Sequence, residues 1–307
     1  MSSVLSRQVV LPAAAIAVFC ALLLPQAPAV ARTEIAQAVQ RSMTVAVLDR
    51  NDAPVTELNP DAIVVREDGV AREVVRISPA PPPTEIVLLV DDSQATSPAL
   101  RELRQALNTF ANQVADYTPP PAVRLATFGD RPTTLVDFNP SFSAISRGIE
   151  RVAPRPGSGA TFLEAVVDTG RALRARKAQR PVIVAFVAEA GPEFGTLRHT
   201  DVARALQESG ASLWTIVLTQ AGGGGDSDAD RERQMVLGDV TTQSGGKNRT
   251  VLSSLNLSAA FETLAGQLTS RWEVTYGRPD TLIPPKSLEI SARDANVRVL
   301  SPRWARP

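Results

Sequence analysis

The chain has few of the residues that enzymes use for covalent catalysis. Its 307 residues include one cysteine, Cys20, and one histidine, His199, and only 5% are aromatic. Cys20 lies inside an N-terminal apolar run, so a chain processed after that run has no disulfide, thiol nucleophile or thiolate metal site. His199 has no cysteine or G-x-S-x-G elbow to work with, which leaves no nucleophile–base pair. The sequence therefore predicts a non-catalytic protein with no catalytic residues.

An excess of charge of either sign is also missing. The chain has 32 basic and 32 acidic residues, so nothing in its charge favours nucleic acid or an anionic membrane surface as a partner. It contains no Walker A and no G-x-G-x-x-G pattern, the phosphate-binding loops of nucleotide-dependent proteins. We expect no nucleic-acid partner and no nucleotide cofactor.

The N-terminus has the parts of a secretory signal peptide. Arg7 precedes an apolar run at residues 9–24, and Ala29-Val30-Ala31 follows as a small-residue cleavage site. The run is shorter than the roughly 20 apolar residues of a membrane span. We expect residues 1–31 to be removed and the protein to be secreted or periplasmic. Retention of this segment as a membrane anchor is the alternative.

Both ends of the remaining chain have β patterns. Residues 32–83 contain two apolar runs around Asp68-Gly69, a pair that predicts a hairpin because both residues tolerate positive φ. The proline-rich stretch at residues 79–83 predicts a stiff linker. The alternating segment at residues 271–307 is too short to bury a core alone, so we expect it to pack with the N-terminal segment in one small β domain.

The middle of the chain alternates between strand and helix patterns. Residues 86–90 are a continuous apolar run, typical of a strand that helices cover on both faces, and residues 181–188 and 211–218 are predicted to be two further buried strands. Helical spacing of apolar residues separates these runs. Residues 84–270 are therefore predicted to form a doubly wound, mostly parallel, Rossmann-like α/β sheet.

Local signals locate one helix start and argue against two motifs. Ser97-Pro98 has the pattern of a helix cap followed by a first-turn proline. Asp168-Thr169-Gly170 spells the aspartic-protease triplet but falls within a helical pattern. The sequence DSDAD at residues 226–230 begins like an EF-hand without its later ligands, and is interpreted as a loop before the next helix.

Polar residues cluster where three of these segments meet the predicted end of the sheet. Asp91, Asp92 and Ser93 follow the first buried strand, Thr161 precedes a helix, and Glu189 follows the second buried strand. Ligands of open parallel sheets bind beyond the carboxyl ends of the strands. Carboxylates and hydroxyls that converge there suit Mg²⁺, Mn²⁺ or Ca²⁺.

With these residues the chain resembles a von Willebrand factor type A (VWA) domain. The metal-ion-dependent adhesion site of that family has the motif D-x-S-x-S, a threonine in a second loop and an aspartate in a third. Asp91 and Ser93 match the first two positions, and Thr161 matches the threonine. Ala95 stands in place of the second serine, and Glu189 in place of the aspartate. The resemblance implies a metal site formed by Asp91, Ser93, Thr161 and Glu189.

The flanking segments extend the resemblance. TVAVLDRNDAPVTELNPDAIVVREDG and RWEVTYGRP resemble the β segments beside the VWA domain of secreted bacterial VWFA-related proteins. The family's function implies that the carboxyl-end face binds a protein partner or mediates adhesion. The missing hydroxyl at Ala95 leaves an ion one ligand short, which Mg²⁺ tolerates badly, so the predicted site is degenerate.

Two other interpretations remain. In the first, the protein is a structural scaffold without a functional ion site, and Asp91 and Ser93 only bond loop amides. In the second, VLLVDDS resembles the start of a phosphate-handling response-regulator receiver. A receiver needs a serine or threonine after a later strand and a lysine after the last strand, but the corresponding residues read AEAG and LTQAG.

Overall fold

The strands and helices alternate as the sequence predicts through the middle of the chain. A computed structural model describes residues 38–219, 225–279 and 283–304, so the signal segment predicted at residues 1–31 lies outside the described residues. The strands are β1 Ala38–Leu48, β2 Ile63–Glu67, β3 Val70–Arg72, β4 Val74–Pro79, β5 Glu85–Val90, β6 Ala122–Thr127, β7 Thr133–Asn139, β8 Val182–Ala188, β9 Ser212–Leu218, β10 Asn248–Val251, β11 Arg271–Pro279, β12 Leu288–Ala292 and β13 Arg298–Leu300.

Seven α-helices accompany these strands in the described ranges. They are α1 Leu100–Ala115, α2 Phe142–Ile149, α3 Phe162–Ala175, α4 His199–Ser209, α5 Asp228–Met235, α6 Thr241–Gln243 and α7 Leu257–Thr269. A π-helical stretch, Val236–Val240, connects α5 to α6. No helix within the described part of the chain combines the length and the apolar character that crossing a membrane requires.

The central sheet has six strands in the order β10-β9-β8-β5-β6-β7. Its neighbouring strands pair in parallel except β7, which runs antiparallel to β6. Every residue of β8 and of β9 is buried, because helices cover both faces of the sheet. The predicted doubly wound, mostly parallel sheet is confirmed.

Two apolar cores lie on the two faces of this sheet. Alternate residues of β5 belong to different cores: Leu88 lies in the core of α1, α2 and α7, and Leu89 in the core of α3 and α4. In the first core the rings of Phe110 and Phe261 are 5.9 Å apart and nearly perpendicular, a favourable aromatic geometry. This two-sided burial explains why the strand sequences are continuous apolar runs.

The two chain ends share their sheets. Strand β11 pairs antiparallel with β1 on one side and with β4 on the other, and β13 pairs with the other edge of β1. A second sheet has the order β12-β2-β3, so it too combines strands from both ends. The small β unit predicted from both chain ends is therefore present.

Strand β1 is buried on both faces. Val45 and Val47 pack with Trp272 in the core between the two terminal sheets. Ala46 and Leu48 lie in one of the central-sheet cores instead. The β unit therefore packs directly on the α/β unit through the second face of β1.

The helix start predicted at Ser97-Pro98 is wrong. Helix α1 begins at Leu100, and a 3₁₀ turn, Gln94–Ala99, contains Pro98. Within this turn the Thr96 hydroxyl donates to the Asp91 carbonyl oxygen at 2.9 Å. This bond ties the 3₁₀ turn to the end of β5. The α-helix therefore starts after the turn, later than the cap pattern indicates.

The hairpin predicted at Asp68-Gly69 is present, but its second strand is short. Asp68 and Gly69 have φ values of 48° and 83°, and they join β2 to β3. After Glu73 the chain leaves this sheet, and β4 pairs with β11 instead. The second apolar run therefore forms two strands, β3 and β4, which belong to different sheets.

We expect the shared β core to depend on Trp272. This side chain is 9% exposed, and its indole N–H donates to the Val55 carbonyl oxygen at 3.0 Å. Trp272→Ala should lower the free energy of unfolding by about 3–5 kcal/mol, measured by urea denaturation. Val75→Ala, at a position 47% exposed in β4, should change it by no more than about 0.5 kcal/mol. Equal losses in the two variants would contradict this account of the core.

Candidate functional site

Four segments meet at the carboxyl end of the central sheet. They follow β5, follow β6, precede α3 and follow β8. The backbone of Ala160, ahead of α3, bridges to Gly129 after β6 and to Glu193 after β8. The Gln94 amide, after β5, donates to the Ser158 carbonyl oxygen. The segments that carry the predicted site are thus hydrogen-bonded to one another.

Asp91 is fully buried at the end of β5. One carboxylate oxygen accepts from the Ser93 amide at 2.9 Å, and the other accepts from the Ala188 amide at 3.0 Å. Burial raises the pKa of Asp91, while these bonds and the positive charge of Arg233 act in the opposite direction. The carboxylate joins the loop after β5 to the end of β8.

Asp92 joins a different pair of segments. Its carboxylate accepts from the Gly129 amide at 2.6 Å and from Arg155 Nε at 3.0 Å. A Cβ at position 129 would lie 2.8 Å from Asp92 Oδ1, so this close approach requires glycine. Asp92 therefore points away from Asp91 and holds the loop after β6.

The two predicted hydroxyl ligands are in different states. Thr161 donates its hydroxyl to the Phe128 carbonyl oxygen at 2.8 Å. Ser93 Oγ is buried and makes no hydrogen bond of full geometry in the described residues, although it lies near enough to the Asp91 carboxylate to lower the pKa of Asp91. A Cβ on Gly191 would come within 3.2 Å of Ser93 Oγ and within 3.1 Å of the Ala95 Cβ. The backbone at Gly191 therefore packs closely against Ser93 and the position of the missing hydroxyl.

Glu189 takes part in the site through its backbone. Its amide donates to the Leu218 carbonyl oxygen at 3.0 Å, and its carbonyl oxygen accepts from Arg233 at 3.4 Å. The half-buried side chain is in none of the hydrogen bonds that join these loops. A direct role of the Glu189 carboxylate as a ligand stays a prediction.

The sequence analysis missed Glu193, a buried carboxyl group of the same segment. Glu193 is 3% exposed, and its Oε1 accepts from the Leu163 amide in the first turn of α3 at 3.5 Å. Burial raises the pKa of Glu193 to about 8, against the opposing charge of Arg233. This side chain is consequently protonated at neutral pH.

Arg233 in α5 was also missed, and its side chain is fully buried. Its Nη1 donates to the Gly191 carbonyl oxygen at 2.7 Å. Its Nη2 lies 3.3 Å from Asp230 Oδ1, which also accepts from the Glu193 amide at 2.9 Å. One ion pair thus fixes α5 to the segment after β8.

The loop interpretation of residues 226–230 is wrong for its second half. Asp228 and Asp230 form the first turn of α5, and Ser227 and Asp230 form a reciprocal capping box in which Ser227 Oγ accepts from the Asp230 amide at 3.1 Å. The pattern S-x-x-D signals such a cap. No sequence pattern near Arg233 predicts its burial, because most residues around it in the helix are polar.

Several contacts at this site disfavour a resident divalent ion. In the described ranges, no group of three or more His, Cys, Asp or Glu residues is placed to hold a metal. The Asp91 oxygens accept from amides, and the Thr161 hydroxyl is bonded to a carbonyl. The buried Arg233 guanidinium is bonded to Gly191, whose backbone packs against Ser93 and Ala95. Hard cations need about six oxygen ligands and tolerate a nearby positive charge poorly.

The remaining motifs have structural roles. Asp168-Thr169-Gly170 lies inside α3, where Asp168 pairs with Arg171 at 3.1 Å. His199, the first residue of α4, is hydrogen-bonded to Glu232 of α5 at 2.6 Å. The helical interpretation of the first motif is confirmed.

A mostly parallel sheet between two helical layers, with a loop site at its carboxyl end, defines an open, doubly wound α/β domain. The profile of the von Willebrand factor type A domain matches residues 86–190. The chain therefore contains a VWA-type domain. A search of curated proteins finds no match.

Solved structures with related folds include three bacterial proteins. The von Willebrand factor type A protein from Catenulispora acidiphila is 10% identical, over 87% of this chain and 73% of that chain, with a TM-score of 0.47. The vWF domain of the type V pili tip protein Mfa5 from Porphyromonas gingivalis is 12% identical, over 61% and 95%, with a TM-score of 0.46. The conserved hypothetical protein BatB from Bacteroides thetaiotaomicron is 14% identical, over 60% and 98%, with a TM-score of 0.46.

Glu193 should make stability depend on pH. Its pKa is about 8 in the folded protein against an ordinary value of 4.5, so unfolding at neutral pH releases a proton. The free energy of unfolding should therefore fall as pH rises from about 4.5 to about 8, by up to about 1.4 kcal/mol per pH unit for one proton, and level off above.

Urea denaturation across this range should show the slope in the wild type and a smaller one in Glu193→Gln. Glu262→Gln, at an exposed position in α7, should keep the wild-type slope. An unchanged slope in Glu193→Gln would contradict the assignment of the proton.

Proposed function

We propose that this protein is exported and non-catalytic, and that it binds a protein partner through the carboxyl-end face of its VWA-type domain without a resident metal ion. The observation that carries the proposal is the convergence of four hydrogen-bonded segments at that face, with Phe194 exposed at their rim. Phe194 is 55% exposed. Its amide donates to the Ala160 carbonyl oxygen at 2.7 Å, which fixes it to the segment before α3.

The surface around Phe194 suits an apolar contact. A Cβ on Gly159 would lie 2.6 Å from the Phe194 ring, so the ring lies directly on the glycine backbone. Leu252 and Leu255 follow β10 at the same end of the sheet and are 81% and 76% exposed. Aromatic residues are enriched among those that contribute most to protein interfaces. The exposed Phe194 ring on a rigid polar cluster supports a protein partner.

The alternative is a structural scaffold. Asp91 and Asp92 both accept backbone amides from neighbouring loops, which is what a purely structural role requires. In that case the face has no partner, and its exposed apolar side chains have no function. The two hypotheses differ in whether a ligand contacts Phe194.

Photo-crosslinking from position 194 tests the proposal. A benzoyl-phenylalanine that replaces Phe194 should give a specific crosslinked protein in the native host. The same replacement at Phe142 is the matched control, because this residue is also exposed but starts α2 at the opposite end of the sheet. Crosslinks from Phe142 alone, or from neither position, would favour the scaffold.

The absence of a resident metal should be visible in thermal melting. A ligand at 100 times its dissociation constant adds about 2.7 kcal/mol of stability, so an intact site should raise the melting temperature by several degrees in millimolar Mg²⁺ or Mn²⁺. We expect the melting temperature to be the same in these ions as in EDTA. A rise that Thr161→Ala abolishes would show a functional metal site instead.

A further inference from the structure

Arg233 is a positive charge enclosed by the acidic residues of the site. Its side chain has no exposed surface. The acidic groups around it come from three segments: Asp91 after β5, Asp230 in α5 and Glu193 after β8, of which Glu193 is neutral at neutral pH. A buried charge without compensation is very costly, so the burial of Arg233 requires a carboxylate partner, and Asp230 at 3.3 Å is the one in contact.

We propose that Arg233 supplies the positive charge of this site in place of a metal ion, so that a cation built into the chain holds the loops together. The proposal rests on the proposed function for the location of the site and for the absence of a resident ion. It explains why a VWA-type domain with an incomplete set of ion ligands keeps a buried aspartate at the end of β5.

Arg233 contacts oxygen atoms of the kinds that bind metal ions. The guanidinium donates to the Gly191 carbonyl oxygen at 2.7 Å and to the Glu189 carbonyl oxygen at 3.4 Å. Its other contact is the Asp230 carboxylate at 3.3 Å. Oxygen atoms of this kind are the ligands that a hard ion takes. A guanidinium contacts several of them through fixed, planar donors.

The charge of Arg233 reaches the rest of the site. The guanidinium is bonded to the Gly191 carbonyl oxygen, and the Gly191 backbone packs against Ser93 Oγ and the Ala95 Cβ. A divalent ion near Asp91 would meet this charge in a medium that screens it poorly, and the repulsion would weaken its binding. Arg233 therefore both replaces an ion and excludes one.

The partner is affected as well. A metal ion at a loop site keeps a coordination position for an acidic side chain of a ligand, whereas the fully buried Arg233 offers none. Phe194, 55% exposed, is the large exposed apolar side chain in the segment after β8. We infer that the partner contributes an apolar side chain, and that chelators leave its binding unchanged.

Melting measurements on the full chain without any partner test the inference. In EDTA, Arg233→Met should lower the melting temperature by on the order of 10 °C, because the change leaves the buried Asp230 carboxylate and the Gly191 carbonyl oxygen without their partner. Arg231→Met is the matched control, since Arg231 is an exposed arginine in the same helix that pairs only with Asp228. The control should stay within about 2 °C of the wild type.

The change in melting temperature with Mn²⁺ distinguishes an arginine that replaces a metal ion from an arginine in an ordinary ion pair. Restoring the hydroxyl with Ala95→Ser alone should give no rise in melting temperature with Mn²⁺, because Arg233 still excludes the ion. The double variant Ala95→Ser/Arg233→Met should gain several degrees in Mn²⁺, and Ala95→Ser/Arg231→Met should gain none. If Arg233→Met does not fold in EDTA, refolding in Mn²⁺ with Ala95→Ser gives the same readout.

Three results would overturn the inference. They are a Mn²⁺ response of the wild type, a response of Ala95→Ser alone, and no response of Ala95→Ser/Arg233→Met in either melting or refolding. Arg233→Lys should melt between the wild type and Arg233→Met, since it keeps the charge but loses the planar contacts. None of these measurements uses a partner, so crosslinking at position 194 can fail or succeed independently.

Discussion

The burial of β5 on both faces is the constraint from which the site follows. Its apolar residues face two helical cores, so the first polar side chains, Asp91 and Asp92, come where the strand leaves the sheet. They are still buried at that point and must be compensated locally. Backbone amides of the neighbouring loops provide this compensation, and the loops are thereby fixed.

The same constraint acts at the chain ends. Strand β1 is also covered on two faces, by the terminal three-stranded sheet and by the central core. The turn after β1 adds an electrostatic contact, because Asp52 pairs with Lys247 and Arg249 at the edge strand β10 and with Arg298 of β13. The terminal sheets are thus joined to the α/β unit by apolar packing and by charge.

The sequence predicted the elements that burial determines and missed those that long-range contacts determine. Mostly apolar runs identified β5, β8 and β9, because a strand buried on both faces carries few polar residues. The later start of α1 depends on a bond from Thr96 to Asp91. Position 91 could be assigned from a motif, but Arg233 lies far away in sequence, in a mostly polar helix. Only the folded chain shows that it is buried.

A cation that belongs to the chain differs physically from one that is bound. The occupancy of a metal site depends on the free ion concentration, whereas Arg233 is present whenever α5 is folded. Asp230 extends this coupling, because it caps the start of α5 and also bonds the Glu193 amide. Folding of α5 therefore brings the positive charge and the loop after β8 together in one step. A site built in this way does not respond to the metal concentration, and its binding face stays ordered whenever the domain is folded.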